Sequence, residues 1–383
     1  MLLHLYFHLF LFLIILIIPF SYANENITLD DDMLSLSDSD DILYSSDIYF
    51  DSSASVDGNG SQSSPYNHLE STRLKDDSVA YFAAGEYTLD KQMSFGNLTV
   101  IGQSPLNTVI YGNSLSLNSN NIISVFNITL NGIPIYNTNK FIANNVVFEN
   151  DDGSYRGSYG NIFGGAIYSN NADTMIYSSI FKNNNATYGG AIYADNSNLT
   201  VIDSVFQNNH AYDYGGAIAG EKSSSLNIIN STFTNCYTMT NAGGAVYSKN
   251  SRLNVERSNF TSCNATFGGA ICDLESDSNV NSIIANNNIA DYQGGAIYKM
   301  YGTMNVTSSS FTSNKASSGG AVFIDNSSEI IIKSSKFTSN EAVYEGGAIY
   351  TILNIKQSIS SNTYKNNKAS KENNHYNSYV KCL

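Results

Sequence analysis

Two acidic residues, Asp195 and Glu221, stand at the same place in consecutive copies of a repeated sequence, six positions after a Gly-Gly pair. Paired carboxylates at a fixed separation are what glycoside hydrolysis needs, one as acid and the other as base or nucleophile. The same place in the other copies holds Asn170, Lys249, Leu274, Met300, Asp325 and Ile352, so the series is not otherwise acidic. Lys222 and Lys249 are the nearby bases, and Arg occurs only four times in the chain. The reading is therefore a solvated corner, with catalysis by Asp195 and Glu221 kept as the minor alternative.

Four cysteines offer a second chemistry. Cys236 and Cys263 each follow a Phe by three positions, Phe233 and Phe260, and so occupy equivalent places in neighbouring copies. Stacked strands lie about 4.8 Å apart, within the Cα range a disulfide tolerates. Two readings stay open: a Cys236–Cys263 bridge, or two buried thiols in a row. Cys272 replaces a repeat Tyr, and Cys382 lies near the C-terminus. No Cys-x-x-Cys occurs, and five scattered His show neither metal-ligand nor triad spacing. The expectation is no metal and no cofactor.

A third set is aromatic. Tyr168, Tyr193, Tyr247, Tyr298 and Tyr350 each follow Gly-Gly-Ala and an aliphatic residue. If the aliphatic residue points inward, these Tyr point outward in one column. Such a column suits sugar rings or a protein surface, because rings give contact area at low entropic cost. The alternative is that they pack on one another as a structural ladder.

The element that positions all three sets is the repeat. Gly-Gly-Ala plus an aliphatic residue begins at Gly164, Gly189, Gly215, Gly243, Gly268, Gly294, Gly319 and Gly346, at spacings of 25, 26, 28, 25, 26, 25 and 27. A second landmark trails in fixed phase, as in Phe181-Lys-Asn-Asn184, Phe206-Gln-Asn-Asn209, Phe311-Thr-Ser-Asn314, Phe337-Thr-Ser-Asn340 and Tyr364-Lys-Asn-Asn367. Between landmarks, Asn198-Leu-Thr-Val-Ile202 and Arg252-Leu-Asn-Val-Glu256 alternate apolar and polar residues, the period of a half-buried strand. Each unit thus reads as roughly three short strands. One unit cannot cover its own apolar side, but stacked units can. The fold class is an all-β, right-handed parallel β-helix of about 25 residues per coil, its hand taken from the crossover preference. Ile167, Ile192, Ile218 and Val246 point into its core.

Composition agrees. The chain has 383 residues, 27 Tyr, 19 Phe, no Trp and only 14% charged residues, unlike a disordered chain. The net charge is −14, and residues 24–51 hold Glu25 and eight Asp without Lys or Arg. No basic face exists to displace counterions from phosphates, which excludes nucleic acid as a partner. The apolar run 5–20, followed by Ser21-Tyr22-Ala23, has the form of a secretory signal. Sequons at Asn26, Asn97, Asn127, Asn198, Asn230, Asn264 and Asn305 are potential sugar acceptors in a glycosylating host.

The Gly-Gly-Ala-Ile and Phe-x-x-Asn pair resembles the repeat of chlamydial polymorphic membrane proteins, and equally that of Asn/Thr-rich adhesin-like surface proteins of gut methanogens. Residues 54–89 resemble the N-terminal cap of pectate-lyase-like β-helices. The likeness covers residues 48–367 and implies an adhesin-like protein of the cell envelope, outer membrane or extracellular space. Its implied partners are host or neighbouring-cell glycans or surface proteins.

The domain reading is a signal peptide over 1–23, an acidic linker over 24–51, an N-terminal cap over 52–91, repeats over 92–367 and a tail over 368–383. Membrane contact is expected only through the export segment or an anchor. The functional expectation is a non-enzymatic adhesin-like surface. A polysaccharide-cleaving lyase or glycosidase is the alternative, and a passive coat or spacer the third class.

Overall fold

Every repeat closes one turn of a parallel β-solenoid, which runs for about 11 turns of roughly 26 residues. The computed structural model describes residues 46–112, 117–153, 160–353 and 356–378. The export segment, most of the acidic stretch and Cys382 lie outside the described residues.

Within one repeat the chain forms Ile192–Asp195, Asn198–Ile202, Val205–Gln207 and His210–Tyr214. Each strand pairs in parallel with its equivalent in the next coil, so that Ile192 faces Ile218, Leu199 faces Leu226, Phe206 faces Phe233 and His210 faces Tyr237. The first three kinds of strand join one 33-stranded sheet, and the fourth kind forms a separate seven-stranded sheet. This fourth strand is one more than the sequence suggests. Its only inward side chain is small (Ala186, Ala211, Thr238, Ala265, Ala290, Ala316 and Ala342 in successive coils), so no alternation of bulky residues marks it.

Corners follow one rule. A residue in the left-handed region turns the chain, and the next residue points inward. Asn196 (φ 49°), Asp203 (φ 53°) and Asn208 (φ 54°) do this in one coil, ahead of Ser197, Ser204 and Asn209. Asn and Asp bear this conformation at the least cost after Gly. The inward polar residues form rows that satisfy the buried backbone. Ser204 Oγ accepts from the Ser179 amide at 3.2 Å, and Ser231 Oγ from the Ser204 amide at 3.2 Å. In the asparagine row, Asn209 Oδ1 accepts from the Asn184 amide at 3.0 Å while its Nδ2 donates to the Phe181 carbonyl at 2.9 Å. The row continues through Asn288, Asn314, Asn340 and Asn367.

Inside the coils, Phe148, Phe181, Phe206, Phe233 and Phe260 stack face to face at 4.6 to 4.8 Å. The stack breaks at Ala285 and resumes through Phe311, Phe337 and Tyr364. The coil without a ring buries Ile283 at its corner, where its neighbours have Ser258 and Ser309.

The ends differ from the domain reading. Ser46–Phe50 is a strand paired in parallel with Ser78–Phe82, so the solenoid begins inside the stretch expected as an acidic linker. Its alternate Ile48 and Phe50 are buried, and burying them is what recruits it. Within the cap the single turn Ser71–Arg73 is helical, with Arg73 bonded to Asp57 and lying 4.2 Å over the Tyr66 ring. At the other end His375–Ser378 pairs with Ile349–Ile352, so the expected tail adds to the solenoid.

Candidate functional site

The repeat tyrosines lie outside the main core, but they are not a free column. Tyr168, Tyr193, Tyr247 and Tyr298 are at most 8% exposed, and Tyr350 is half-buried. They form a second apolar cluster with Phe163, Tyr188, Tyr214 and Phe267. Phe163 lies 4.9 Å from Tyr193, Tyr214 4.5 Å from Tyr247 and Phe267 5.3 Å from Tyr298. The expectation of exposed rings is corrected on this point. The aromatic that ends the fourth strand turns through Gly-Gly and is laid over the Tyr of a coil. The signal stood in the sequence, since Phe163, Tyr188, Tyr214 and Phe267 each immediately precede a Gly-Gly pair. Burial pushes the Tyr193 phenol far above its ordinary range, and the Glu221 carboxylate beside it adds to the effect.

Exposed rings occur instead on the seven-stranded sheet. Tyr212 (56% exposed), Tyr237, Met239, Ile289, Tyr292, Val343 and Tyr344 all lie on its strands or just past their ends. His210 and Tyr237 stack in register at 5.0 Å, and burial keeps the His210 imidazole below its usual range, hence uncharged at neutral pH. Asn185, Thr187, Asn264, Thr266 and Ser317 fill other outward places. Charge enters this face mainly through Asp291, Lys315 and Glu341 toward its far end. A rigid sheet with its inner side packed through alanines thus presents apolar side chains to solvent.

The acidic pair is brought together as its spacing implies, for Asp195 and Glu221 are register partners in adjacent coils. Each is engaged elsewhere. Lys222 Nζ lies 2.7 Å from Asp195 Oδ2, and the Tyr193 hydroxyl donates to Glu221 Oε2 at 2.7 Å. Asp195 Oδ1 is buried without a partner. Lys222 (φ 55°) and Ser223 (φ 69°) form a widened corner that carries the lysine over the carboxylate. This set could bind a hydroxyl or move a proton, with Lys222 neutralising charge on whatever Asp195 holds.

Cys236 and Cys263 carry free thiols and are fully buried. They replace asparagines in the asparagine row, each Sγ directed at the carbonyl that an amide would reach, Phe206 at 3.7 Å and Phe233 at 3.9 Å. The two buried thiols of the sequence reading are therefore what the structure contains, rather than the bridge. Among the described residues no group of three or more His, Cys, Asp or Glu is placed to hold a metal ion, and no helix is long and apolar enough to cross a membrane.

The sequence profile of the Chlamydia polymorphic membrane protein (Chlamydia_PMP) repeat matches residues 178–195 and 203–221. Each stretch runs from the serine corner through the asparagine row and Gly-Gly to the end of the next strand. In these two coils the repeat is similar to that of the polymorphic membrane proteins. No curated protein matches the sequence. Among solved structures, the A-module of Azotobacter vinelandii mannuronan C-5 epimerase AlgE4 is 11% identical over 79% of this chain and 91% of that one, with a TM-score of 0.40. The catalytic domain of a GH87 alpha-1,3-glucanase in complex with tetrasaccharides is 11% identical over 76% and 63%, with a TM-score of 0.42. The Agl-KA catalytic domain is 14% identical over 82% and 69%, with a TM-score of 0.33. The expectation of a non-enzymatic chain is corrected here. The solved structures similar to this PMP-like solenoid include carbohydrate-acting enzymes, so the architecture is no ground for excluding catalysis.

Proposed function

We propose that this PMP-like solenoid is an adhesin-like protein of the cell surface that holds a protein partner on the outer face of its seven-stranded sheet. One observation carries the reading: seven large apolar side chains, four of them Tyr, are exposed on that sheet in three groups, Tyr212 and Tyr237 with Met239, Ile289 with Tyr292, and Val343 with Tyr344, with polar coils between them. Clustered exposed apolar side chains mark interaction sites, and Tyr and Met are enriched in protein interfaces. Seven strands at about 4.8 Å span roughly 30 Å, a length suited to a protein surface. The PMP-type repeat supports the cell-surface setting.

The test is adhesion of target cells to the immobilised chain, with a Tyr212→Ser/Met239→Ser variant beside it. Binding that disappears with the variant and after protease treatment of the cells supports a protein partner. Binding that resists protease but yields to glycosidase treatment replaces that partner with a glycan. No binding at all leaves a passive coat.

A second reading rests on Asp195 and Glu221, register partners on strands about 4.8 Å apart, since a retaining pair needs two carboxyls about 5 Å apart. It is polysaccharide cleavage. Reducing-end release that vanishes in both Asp195→Ala and Glu221→Ala would establish it, and silence across a broad polysaccharide panel would end it.

A further inference from the structure

Inside the solenoid, away from either candidate surface, two charged residues meet in the core. Asp273 and Lys299 occupy one register position in adjacent strands, Ile271–Asn281 and Ile297–Thr307. Both side chains are 0% exposed, and Lys299 Nζ lies 2.5 Å from Asp273 Oδ2. Other coils place Ser169, Ala194, Gly220, Ser248, Ile324 and Thr351 there, all uncharged. Lys299 Nζ also donates to the Ser276 carbonyl at 2.6 Å, and the Ser278 hydroxyl donates to Asp273 Oδ2 at 2.6 Å. Asp273 Oδ1 is buried with no hydrogen-bond partner.

We propose that Asp273 and Lys299 condense to an intramolecular amide, a covalent staple between two coils. An ammonium and a carboxylate contain the atoms of one amide and one water, so the step needs no co-reactant. One Nζ proton passes to Oδ2 along the short hydrogen bond. Nζ then attacks Cγ, the Nζ–Cγ bond forms, the Cγ–Oδ2 bond breaks, and a second Nζ proton leaves with Oδ2 as water.

Three features favour this at these atoms. The register holds amine and carboxyl in contact, which gives the effective concentration that an intramolecular reaction exploits. The Ser278 hydroxyl is bonded to the oxygen that departs, while the Ser276 carbonyl holds an Nζ proton and orients the nitrogen. Burying two charges is costly even when they are paired, and the amide removes both from the core. The water produced leaves the core for solvent.

Intact-mass spectrometry of the full chain, denatured and reduced, is the deciding measurement. A species one water (about 18 Da) lighter than the sequence mass after export processing is expected, with a branched peptide joining Asp273 to Lys299 after digestion. Lys299→Met and Asp273→Ala should each restore the full mass, whether or not they fold well, because the readout is covalent. A wild-type chain of full mass overturns the proposal. So does a water loss that maps elsewhere, such as a succinimide.

Discussion

Asp151 is where the asparagine row begins without an amide. Its backbone amide donates to Asn184 Oδ1 at 3.0 Å, as those of Asn184, Asn288, Asn314 and Asn340 do to the asparagine of the next coil, and it is 1% exposed. Asn184 Nδ2 in turn donates to the Phe148 carbonyl, whose register partner one coil earlier is Leu130. A carboxylate cannot make the equivalent donation to Leu130, and neither Asp151 oxygen makes a regular hydrogen bond. Burial pushes this carboxyl well above the usual carboxylate range. The Ile133 amide opposes that only in part, and Asp152 and Glu149 add to it. A raised folded-state pKa means that the folded chain holds its proton more tightly than the unfolded chain. The associated stability is complete below the unfolded value near ~3.9 and is lost as pH rises toward the folded one. Asp151→Asn should therefore match the wild type near pH 4 and exceed it by about 1–2 kcal/mol at pH 8, read from urea unfolding at the two pH values. A gap that is the same at both would refute the assignment. Phe-Glu-Asn-Asp at 148–151 was legible in the sequence as a variant of Phe-Lys-Asn-Asn, but its burial without a donor was not, because only stacking shows which corner residues face in.

At the scale of the element, the Gly-Gly corner sets how closely coils approach. Gly189 takes φ 61°, the left-handed turn. Gly190 has a different role: a Cβ there would sit 2.1 Å from the Gly216 carbonyl oxygen and 2.4 Å from that of His210. Both are backbone atoms, so relief requires two coils to separate. Gly190→Ala is expected to cost about 3 kcal/mol or more, whereas Asn196→Gly, at a corner glycine accepts freely, should change stability by a few tenths. Equal losses in denaturant titrations of the two would remove the close-approach role. The landmarks made these corners and the alternating strands readable in advance. The fourth strand was not readable, since one inward alanine flanked by outward residues has no period. The same omission hid the exposed face, and it left the repeat Tyr looking free when the aromatics before four of the eight Gly-Gly pairs, Phe163, Tyr188, Tyr214 and Phe267, pack over them.

A solenoid's stability is a sum over coils and the contacts between neighbours, and the in-register pairing makes this one divisible at equivalent positions. Removing residues 215–242 joins Tyr214 to Gly243, the place where Tyr214 already meets Gly215. The strands on either side are then like for like. Phe206 meets Phe260 in the ring stack, Asn209 meets Cys263 in the polar row, and Tyr193 meets Tyr247 in the outer cluster, each pair having been separated by one coil. The shortened chain should keep its β-sheet circular dichroism and its protease resistance, with a melting temperature within a few degrees of the parent. Removing residues 215–229 instead deletes half a coil, joins unlike strands and brings outward residues against the core, so the chain should lose its cooperative transition. The full-coil deletion also takes away Tyr237 and Met239 and places Lys249, not Glu221, beside Asp195. It should therefore remain folded yet bind target cells weakly and lose any turnover that depends on the carboxylate pair. A full-coil deletion that unfolded as completely as the half-coil one would mean that stability is not local to neighbouring coils.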